Sequence, residues 1–257
     1  MNQQERRKFL IEMLLGENPK FAEVQVERET NAARKQLRSL MNIRPAAPMP
    51  KGFREVQDEY LQGIIRDRGI VEIADMEEMK PGVYLWQGDI TRISCDAIVN
   101  AANSGLTGCY QPCHACIDNC IHTYAGIQLR IYCQDLMDAQ GYGEPTGQGK
   151  ITPAFNLPCK YVIHTVGPIV HGALTREHER LLRSCYDSCL KLAYDKGLKS
   201  IAFCCISTGV FMFPNDRAAK IAVETVKAFK ERTGSKIKVI FNVWKGIDYE
   251  IYRRLLG

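Results

Sequence analysis

The stretch DAIVNAANSGLTGCYQPCHACIDN, residues 96–119, begins with a short apolar run and continues through a polar loop into a helical pattern. Its first part, DAIVN (96–100), is one of five β-rich runs, and long helical patterns lie between most of them. The other four are GVYLWQ (82–87), YVIHTV (161–166), SIAFCCI (200–206) and IKVIFNVW (237–244). Nearly continuous apolar strands that alternate with helices indicate a sheet covered on both faces. The chain is therefore predicted to have an α/β fold.

The helices between these strands are predicted from apolar residues at helical spacing. One pattern runs from Ile117 to Leu136, and another runs from Ala218 to Phe229. A third helix is expected over residues 175–196, because Gly197 suits the position that follows a helix.

The first 80 residues have a different pattern and are predicted to form a helical extension. Phe53 and Ile64 belong to one helical pattern, and an earlier helix is expected over about residues 20–42. The proline-rich segment IRPAAPMPKG (43–52) separates the two. The chain is thus divided into an extension (1–80) without a catalytic pattern and an α/β domain (81–257).

The composition and the N-terminus favour a cytoplasmic protein. There is no apolar core of a secretion signal, and no run approaches the ~18 apolar residues of a membrane span. Eleven cysteines, an odd number, are therefore not expected to form a disulfide framework. The net charge of +5 comes from scattered residues, so neither nucleic acid nor a membrane is an expected partner.

Four of the eleven cysteines lie in the segment GCYQPCHACIDNCIH, residues 108–122. Cys109, His114 and Cys116 would make three zinc ligands and leave a fourth position open, as catalytic zinc sites do. Cys113 and Cys116 also form a C-x-x-C motif, which is typical of redox dithiols. A third interpretation is a tight loop of small packing residues. The residues alone leave these three interpretations open.

The loops after two of the predicted strands are the expected ligand-binding positions, because α/β sheets bind ligands at the carboxyl ends of their strands. One is the cysteine-rich loop after residues 96–100. The other is STGVFMFPND (207–216), whose small residues precede a predicted helix. Free N–H groups at such a helix start can bind phosphate, although an ordinary strand–helix turn fits the same residues.

Three segments of the chain resemble the macrodomain, an ADP-ribose-binding module. They are GDITRISCDAIVNAANSGL (88–106), AFNLPCKYVIHTVGP (154–168) and CISTGVFMFP (205–214). The resemblance covers residues 81–257 and implies a three-layer α/β/α fold with a mixed central sheet. MacroD-type ADP-ribosyl hydrolases have a glycine-rich loop and Val-Asp-Gly where this chain has CYQPCHACIDNCIH. That replacement is similar to the zinc-dependent macrodomains of bacterial pathogens.

This resemblance assigns roles to individual residues. It implies one Zn²⁺ per chain, bound by Cys109, His114 and Cys116, and catalytic roles for Asp118 and Asn103, the latter also contacting the distal ribose. Helix N-termini also favour Asp simply as a cap, which remains the alternative for Asp118. The adenine is expected at Asp89 and Ile90. The diphosphate loop is expected to comprise Ser207, Thr208, Gly209, Val210 and Phe211, the last as a wall of the distal ribose site.

Five further residues of the chain raise separate questions. Cys113 stands where relatives are expected to have a non-ligand such as Asn, so it adds a possible fourth ligand, although neighbours 113 and 114 seldom both bind one ion. Met212 stands where relatives often have a smaller residue. Cys120, His122 and His164 are predicted to be packing or hydrogen-bonding residues of the fold.

The resemblance predicts a zinc-dependent hydrolase that removes mono-ADP-ribose from proteins, with an Asp or Glu ester as the expected linkage. Expected partners are ADP-ribose and a modified protein, for which relatives suggest a lipoylated carrier related to the glycine-cleavage H protein and modified by a sirtuin-type transferase. Two alternatives remain. One is a module that binds ADP-ribose without cleaving it, and the other is a hydrolase of small derivatives such as O-acetyl-ADP-ribose.

Overall fold

A seven-stranded mixed sheet runs through the centre of the protein in the computed structural model, which describes residues 1–257. Its strands are β2 (Glu77–Lys80), β3 (Val83–Gln87), β5 (Ala97–Ala102), β6 (Gly149–Pro153), β7 (Tyr161–Val166), β8 (Ser200–Phe203) and β9 (Lys238–Val243). Two further short strands, β1 (Val71–Glu72) and β4 (Ile93–Ser94), pair in parallel outside this sheet.

The strand order places several loops at one edge of the sheet. The order is β2-β3-β9-β8-β5-β7-β6, and the five central strands are parallel. The edge strands β2 and β6 run antiparallel to their neighbours. The carboxyl ends of β3, β8 and β5 therefore lie side by side, with only β9 between the first two.

Helices cover the sheet and give the predicted three-layer α/β/α architecture. They are α1 (Gln3–Gly16), α2 (Thr30–Ile43), α3 (Phe53–Arg68), α4 (Ile117–Ala125), α5 (Ile127–Gln140), α6 (Arg176–Asp195), α7 (Asn215–Thr233) and α8 (Gly246–Leu256). One layer consists of α6, α7 and α8, which pack against one another, and the other contains α4 and α5. None of these helices combines the length and apolar character that a membrane crossing requires. The α/β fold class is confirmed.

The N-terminal extension packs on the α4–α5 side of this domain. Its helices α1, α2 and α3 enclose a small core of their own, to which Ile127 of α5 contributes. Helices α2 and α3 both contact α4. The last helix of the extension ends at Arg68, and β2 (Glu77–Lys80) already pairs with β3 of the domain. The exact division at residue 80 therefore stays a prediction.

Two of the predicted helices are wrong in their bounds. The helix expected over about residues 20–42 begins only at Thr30, because Glu29 caps it with hydrogen bonds to the N–H groups of Asn31 and Ala32. The single pattern from Ile117 to Leu136 belongs to two helices, which Gly126 separates with φ at +97°. The strand expected over 200–206 ends at Phe203. The helix predicted over 175–196 is confirmed as α6.

Candidate active site

The loop between β5 and α4 brings three potential metal ligands together. The ligand atoms of Cys109, His114 and Cys116 lie within 4.8 Å of one another. Cys109 Sγ is 3.6 Å from His114 Nδ1. Cys116 is the N-cap residue of α4, where its Sγ accepts a hydrogen bond of 3.4 Å from the Asn119 N–H. All three side chains are half-buried, so an ion between them would be partly shielded from water.

The chemistry of these ligands fits zinc. Burial raises the pKa of the Cys116 thiol to about 12, and the nearby Cys109 and Asp118 act in the same direction. A thiolate is therefore disfavoured here unless a cation compensates for its charge. Zn²⁺ binds thiolates and neutral imidazole, and three protein ligands leave a fourth position for water or substrate. Two sulfur ligands and one nitrogen ligand match this preference.

Cys113 lies in the same loop but is directed toward the N-terminal extension. Its Sγ is 3.2 Å from Ser39 Oγ and 3.4 Å from the Lys35 carbonyl oxygen, both on α2. Its N–H donates to Asn42 Oδ1 at 2.9 Å, and its φ of +52° is left-handed. These contacts argue against Cys113 as a fourth metal ligand and against a Cys113–Cys116 dithiol.

Asp118 lies in the first turn of α4 and is 5% exposed. Its Oδ1 accepts a hydrogen bond from Asn100 Nδ2 at 2.7 Å, and its Oδ2 is 3.4 Å from Asn103 Nδ2. Burial raises the pKa of this carboxyl to about 6, although the Asn100 hydrogen bond and Arg130 oppose the rise. The cap of α4 is Cys116, so Asp118 does not serve as the helix cap.

Asn103 combines a structural and a site-facing position. Its Oδ1 accepts from the Gly105 N–H at 2.9 Å, which makes a turn, and its Nδ2 donates to the Gly108 carbonyl at 3.1 Å. The residue is exposed, and its Nδ2 lies between the Gly108 carbonyl of the loop at residues 103–116 (the metal-ligand loop) and Asp118 Oδ2. It is therefore available to a ligand while its amide orientation is held by the loop.

The loop at residues 207–211 joins β8 to α7 and offers unpaired N–H groups. The backbone N–H groups of Gly209, Val210 and Phe211 have no acceptor within the protein. Val210 is 69% exposed, and Ser207 has a left-handed φ of +66°. Consecutive free amides in a bent loop next to a helix start form an anion-binding concavity. Met212 is also exposed, with φ at +55°.

Asp89 and Ile90 follow β3 in a 3₁₀ turn. Asp89 Oδ1 accepts from the Thr91 N–H at 2.9 Å and from Thr91 Oγ1 at 2.6 Å, and its Oδ2 pairs with Arg68 of α3. Ile90 is 1% exposed, so its side chain belongs to the core. Its backbone N–H has no acceptor in the protein and is the part of Ile90 that a ligand can reach.

These groups form one elongated site along the carboxyl edge of the sheet. Asp89 follows β3, the 207–211 loop follows β8, and the metal-ligand loop follows β5. Three strand spacings of ~4.8 Å separate β3 from β5, so the site is roughly 14 Å long. An extended ligand with an anionic middle matches this arrangement.

Known proteins share both the sequence and the fold of this chain. A protein-ADP-ribose hydrolase of Treponema medium is 55% identical over an alignment of 261 positions, which covers all of both chains. The Macro domain profile matches residues 99–222. The chain belongs to the macrodomain family. A protein-ADP-ribose hydrolase of Staphylococcus aureus strain MRSA252 is 48% identical and aligns with 84% of this chain and 82% of its own.

The solved structures agree with this assignment. A Trypanosoma brucei macrodomain in complex with ADP-ribose superimposes with a TM-score of 0.66 at 29% identity, and the match covers 90% of this chain and 97% of that chain. The fold predicted from the resemblance, a macrodomain with a mixed sheet and N-terminal helices, is therefore confirmed.

A buried polar network lies beneath Asp118 in this macrodomain. Asn100 Nδ2 donates both to Asp118 Oδ1 and to His164 Nδ1, the latter at 3.1 Å. His164 Nε2 lies 3.1 Å from Thr152 Oγ1, so its proton is placed on Nε2. The prediction that His164 is a structural hydrogen-bonding residue is confirmed. Cys133 and His122 complete the cluster, which is buried throughout.

His122 connects this network to the metal-ligand loop. Its Nε2 lies 3.6 Å from Asp118 Oδ1, and neither ring nitrogen has a hydrogen-bond partner. A Cβ at Gly108 would lie only 2.7 Å from His122 Cγ, and the φ of Gly108 is +85°. The loop therefore passes directly over the imidazole at a position that only glycine fits. His122 packs as predicted, and Cys120 lies outside the metal-ligand group.

Sequence reasoning did not single out one exposed residue at this edge of the macrodomain sheet. Trp244 directly follows β9 and is 72% exposed. Because Gln87 pairs in register with Val243, Trp244 lies beside the Gly88–Asp89 segment. A tryptophan at the end of the apolar run IKVIFNVW (237–244) was the signal available in the sequence.

Proposed function

We propose that this macrodomain is a zinc-dependent hydrolase that removes mono-ADP-ribose from proteins. The observation that carries the proposal is the convergence of Cys109, His114 and Cys116 beside Asp118 at the end of β5. A module that only binds ADP-ribose needs neither a metal site nor a buried carboxylate. The relatives named protein-ADP-ribose hydrolase support the same activity.

The chain's own groups divide the work along the site. The free N–H groups of Gly209, Val210 and Phe211 hold the diphosphate, and Phe211 forms a wall at the distal ribose. Asp89 and the Ile90 N–H bind the edge of the adenine, while the exposed Trp244 offers a face on which the base stacks. Ser207 and Thr208 shape the loop, since Thr208 Oγ1 donates to the Cys205 carbonyl at 3.0 Å.

The reacting end of the ligand lies at the metal-ligand loop. Cys109, His114 and Cys116 would hold the zinc ion, which when bound supplies Lewis acidity at the distal ribose. Asn103, an exposed residue at the start of this loop, holds a ribose hydroxyl. Asp118 Oδ2 accepts a proton from the water that attacks the anomeric carbon of the distal ribose, and Asn100 keeps the Asp118 carboxylate in position through Oδ1. The bond from that carbon to the ester oxygen breaks, and the Asp or Glu side chain of the substrate leaves as a carboxylate.

The proposed substrate is an ester of ADP-ribose with an Asp or Glu side chain of another protein. The first protein to test is a lipoylated carrier related to the glycine-cleavage H protein, modified by a sirtuin-type transferase. Ester-linked and serine-linked ADP-ribosyl proteins, together with O-acetyl-ADP-ribose, would be assayed in parallel. Release of ADP-ribose from the ester-linked protein alone would support this substrate class.

The decisive experiment measures metal and activity on the same samples. Protein purified without chelator is analysed by mass spectrometry for zinc, as wild type, Cys109→Ala and Asp118→Asn. We expect about one zinc per chain in the wild type, loss of zinc and activity in Cys109→Ala, and retained zinc with hydrolysis at least ~100-fold slower in Asp118→Asn. Zinc without hydrolysis of any of the three substrates would contradict the proposal and favour an ADP-ribose reader.

A further inference from the structure

The loop that carries the three metal ligands makes few backbone hydrogen bonds of its own. From Asn103 to Cys116, only two backbone bonds stay within the loop, from Leu106 N–H to Asn103 O and from His114 N–H to Gln111 O. The ligands come from three separate points of this irregular segment. Its position must therefore depend largely on contacts with groups outside it.

Helix α2 of the N-terminal extension supplies two of these partners. Arg38 Nη2 donates to the His114 carbonyl at 2.7 Å and to Asn119 Oδ1 at 2.8 Å. Asn42 Oδ1 accepts from the Cys113 N–H at 2.9 Å. These two contacts bracket the Cys113–His114 peptide and so hold the backbone that carries one metal ligand.

The side-chain amides of Asn42 and Asn119 are each held by a second hydrogen bond. Asn42 Nδ2 donates to Thr123 Oγ1 at 3.0 Å, so the orientation of its amide is determined. Asn119 Oδ1 accepts from Arg38, and Asn119 Nδ2 donates to the Gln111 carbonyl at 2.9 Å. The contacts between α2, α4 and the loop thus form a connected set.

Arg130 of α5 ties the end of α2 to the start of the same loop. Its Nη1 donates to the carbonyls of Met41, Asn42 and Arg44, which are among the unpaired carbonyls at a helix C-terminus. Its Nε donates to the Thr107 carbonyl at 2.7 Å. Its guanidinium also lies 4.1 Å from the centre of the Tyr110 ring. The buried Arg130 guanidinium thus connects the end of α2 to the start of the metal-ligand loop.

We infer that α2 positions the metal ligands, with Arg38 and Asn42 as the positioning residues, so that the extension is part of the active site. The inference rests on the proposed zinc site. The left-handed backbone of Cys113 is held by the Asn42 contact, and this places the adjacent His114 imidazole next to Cys109. Groups outside the ligand set that orient a metal site commonly change metal affinity by about 10- to 100-fold.

The test measures zinc and ADP affinity separately in the full-length protein. Zinc dissociation constants are obtained by competition with a chelator, and ADP binding is measured by calorimetry. ADP lacks the distal ribose, so it reports the adenine and diphosphate subsites without the metal loop. For Asn42→Ala and Arg38→Met we expect a zinc Kd about 10- to 100-fold higher, with ADP affinity within about two-fold of wild type.

Two matched variants separate positioning from folding. Asn42→Asp keeps the oxygen that accepts from Cys113 and should restore most of the zinc affinity. Thr123→Val removes the other side-chain partner of Asn42 and the bond from the Thr123 hydroxyl to the Asn119 carbonyl. It leaves the contacts of Asn42 and Arg38 with the loop in place, so zinc affinity should stay within about two-fold of wild type. Zinc affinity unchanged in both α2 variants, or ADP affinity falling in parallel with it, would overturn the inference. Failure of the proposed function shows differently, as wild-type protein that binds zinc but does not hydrolyse substrate.

Discussion

Cys113 shows how one residue in a metal-binding loop can matter through its backbone. Its φ of +52° lies in the left-handed region, which costs most residues about 1 kcal/mol or more and which glycine and asparagine adopt more readily. Its thiol contacts Ser39 and Lys35 on α2. The backbone conformation at this position, rather than the sulfur, is therefore what the neighbouring His114 depends on.

This distinction predicts that Cys113→Asn keeps the zinc content of the protein. Asparagine tolerates the left-handed conformation, and the N–H that donates to Asn42 is retained. Cys116→Ser, the matched control at a proposed ligand, should lose the metal. Metal analysis of both variants by mass spectrometry checks this. A zinc content that falls in Cys113→Asn as far as in Cys116→Ser would show that Cys113 is a ligand.

At the scale of elements, the ends of β3 and β9 form the end of the site at which the adenine is proposed to bind. Their in-register pairing places Trp244 beside Asp89, and its indole is largely exposed although it follows a central strand. An exposed aromatic face next to a carboxylate suits a nucleobase, since stacking on an aromatic side chain contributes about 1–3 kcal/mol.

Trp244→Ala is accordingly expected to raise the Kd for ADP by about 5- to 100-fold, because the base loses its stacking face. Trp244→Phe keeps an aromatic ring and should bind ADP within several-fold of wild type. Calorimetric titration with ADP measures both. The zinc content should be the same in the two variants, since Trp244 lies at the opposite end of the site from the metal ligands. An unchanged affinity in Trp244→Ala would exclude stacking there.

The elements that the sequence predicts well are the ones whose burial leaves an apolar pattern. The central strands β3, β5, β7, β8 and β9 were all found, because both faces of each are covered. The edge strands β2 and β6 were missed, since Glu77–Lys80 is largely exposed and Gly149–Pro153 only half-buried. A periodic pattern also cannot show that Gly126 turns the chain between two helices.

The metal ligands, which lie close together in the sequence, could be predicted, but the contacts between residues far apart in the sequence could not. The spacing of Cys109, His114 and Cys116, with a family resemblance, indicated a metal site whose ligand atoms do lie together. The contacts of Arg38, Asn42 and Arg130 join residues more than 70 positions apart in most cases, and no local pattern marks them. Their role emerges only when the extension is packed against the domain.

At the scale of the whole molecule, we expect the stability of the domain to depend on the protonation of a buried histidine under the site. Burial lowers the pKa of His164 to about 3, and burial lowers that of the neighbouring His122 as well. His164 Nδ1 accepts from Asn100, the residue that also holds Asp118. Protonation of His164 would remove this acceptor and place a charge in the core.

The direction of the pH effect follows from the two states of His164. In the unfolded chain its pKa is about 6.5, so the unfolded state takes up a proton before the folded state does. The stabilisation that comes from burying the neutral ring is therefore fully present above pH ~6.5 and is lost as the pH falls toward about 3. Its size is about 5 kcal/mol at most, since the pKa falls from about 6.5 to about 3 and one pKa unit corresponds to about 1.4 kcal/mol.

We therefore expect the free energy of unfolding to fall more steeply with acid in the wild type than in His164→Gln. Glutamine can accept from Asn100 and donate to Thr152 but does not titrate. Urea unfolding of metal-free protein across pH 4–7 measures both slopes, and carboxylates and His122, present in both proteins, largely cancel in the difference. His164→Gln should be less stable at pH 7 and approach or exceed the wild type near pH 4. Parallel curves would show that His164 takes up its proton equally in both states, and that this network does not couple stability to pH.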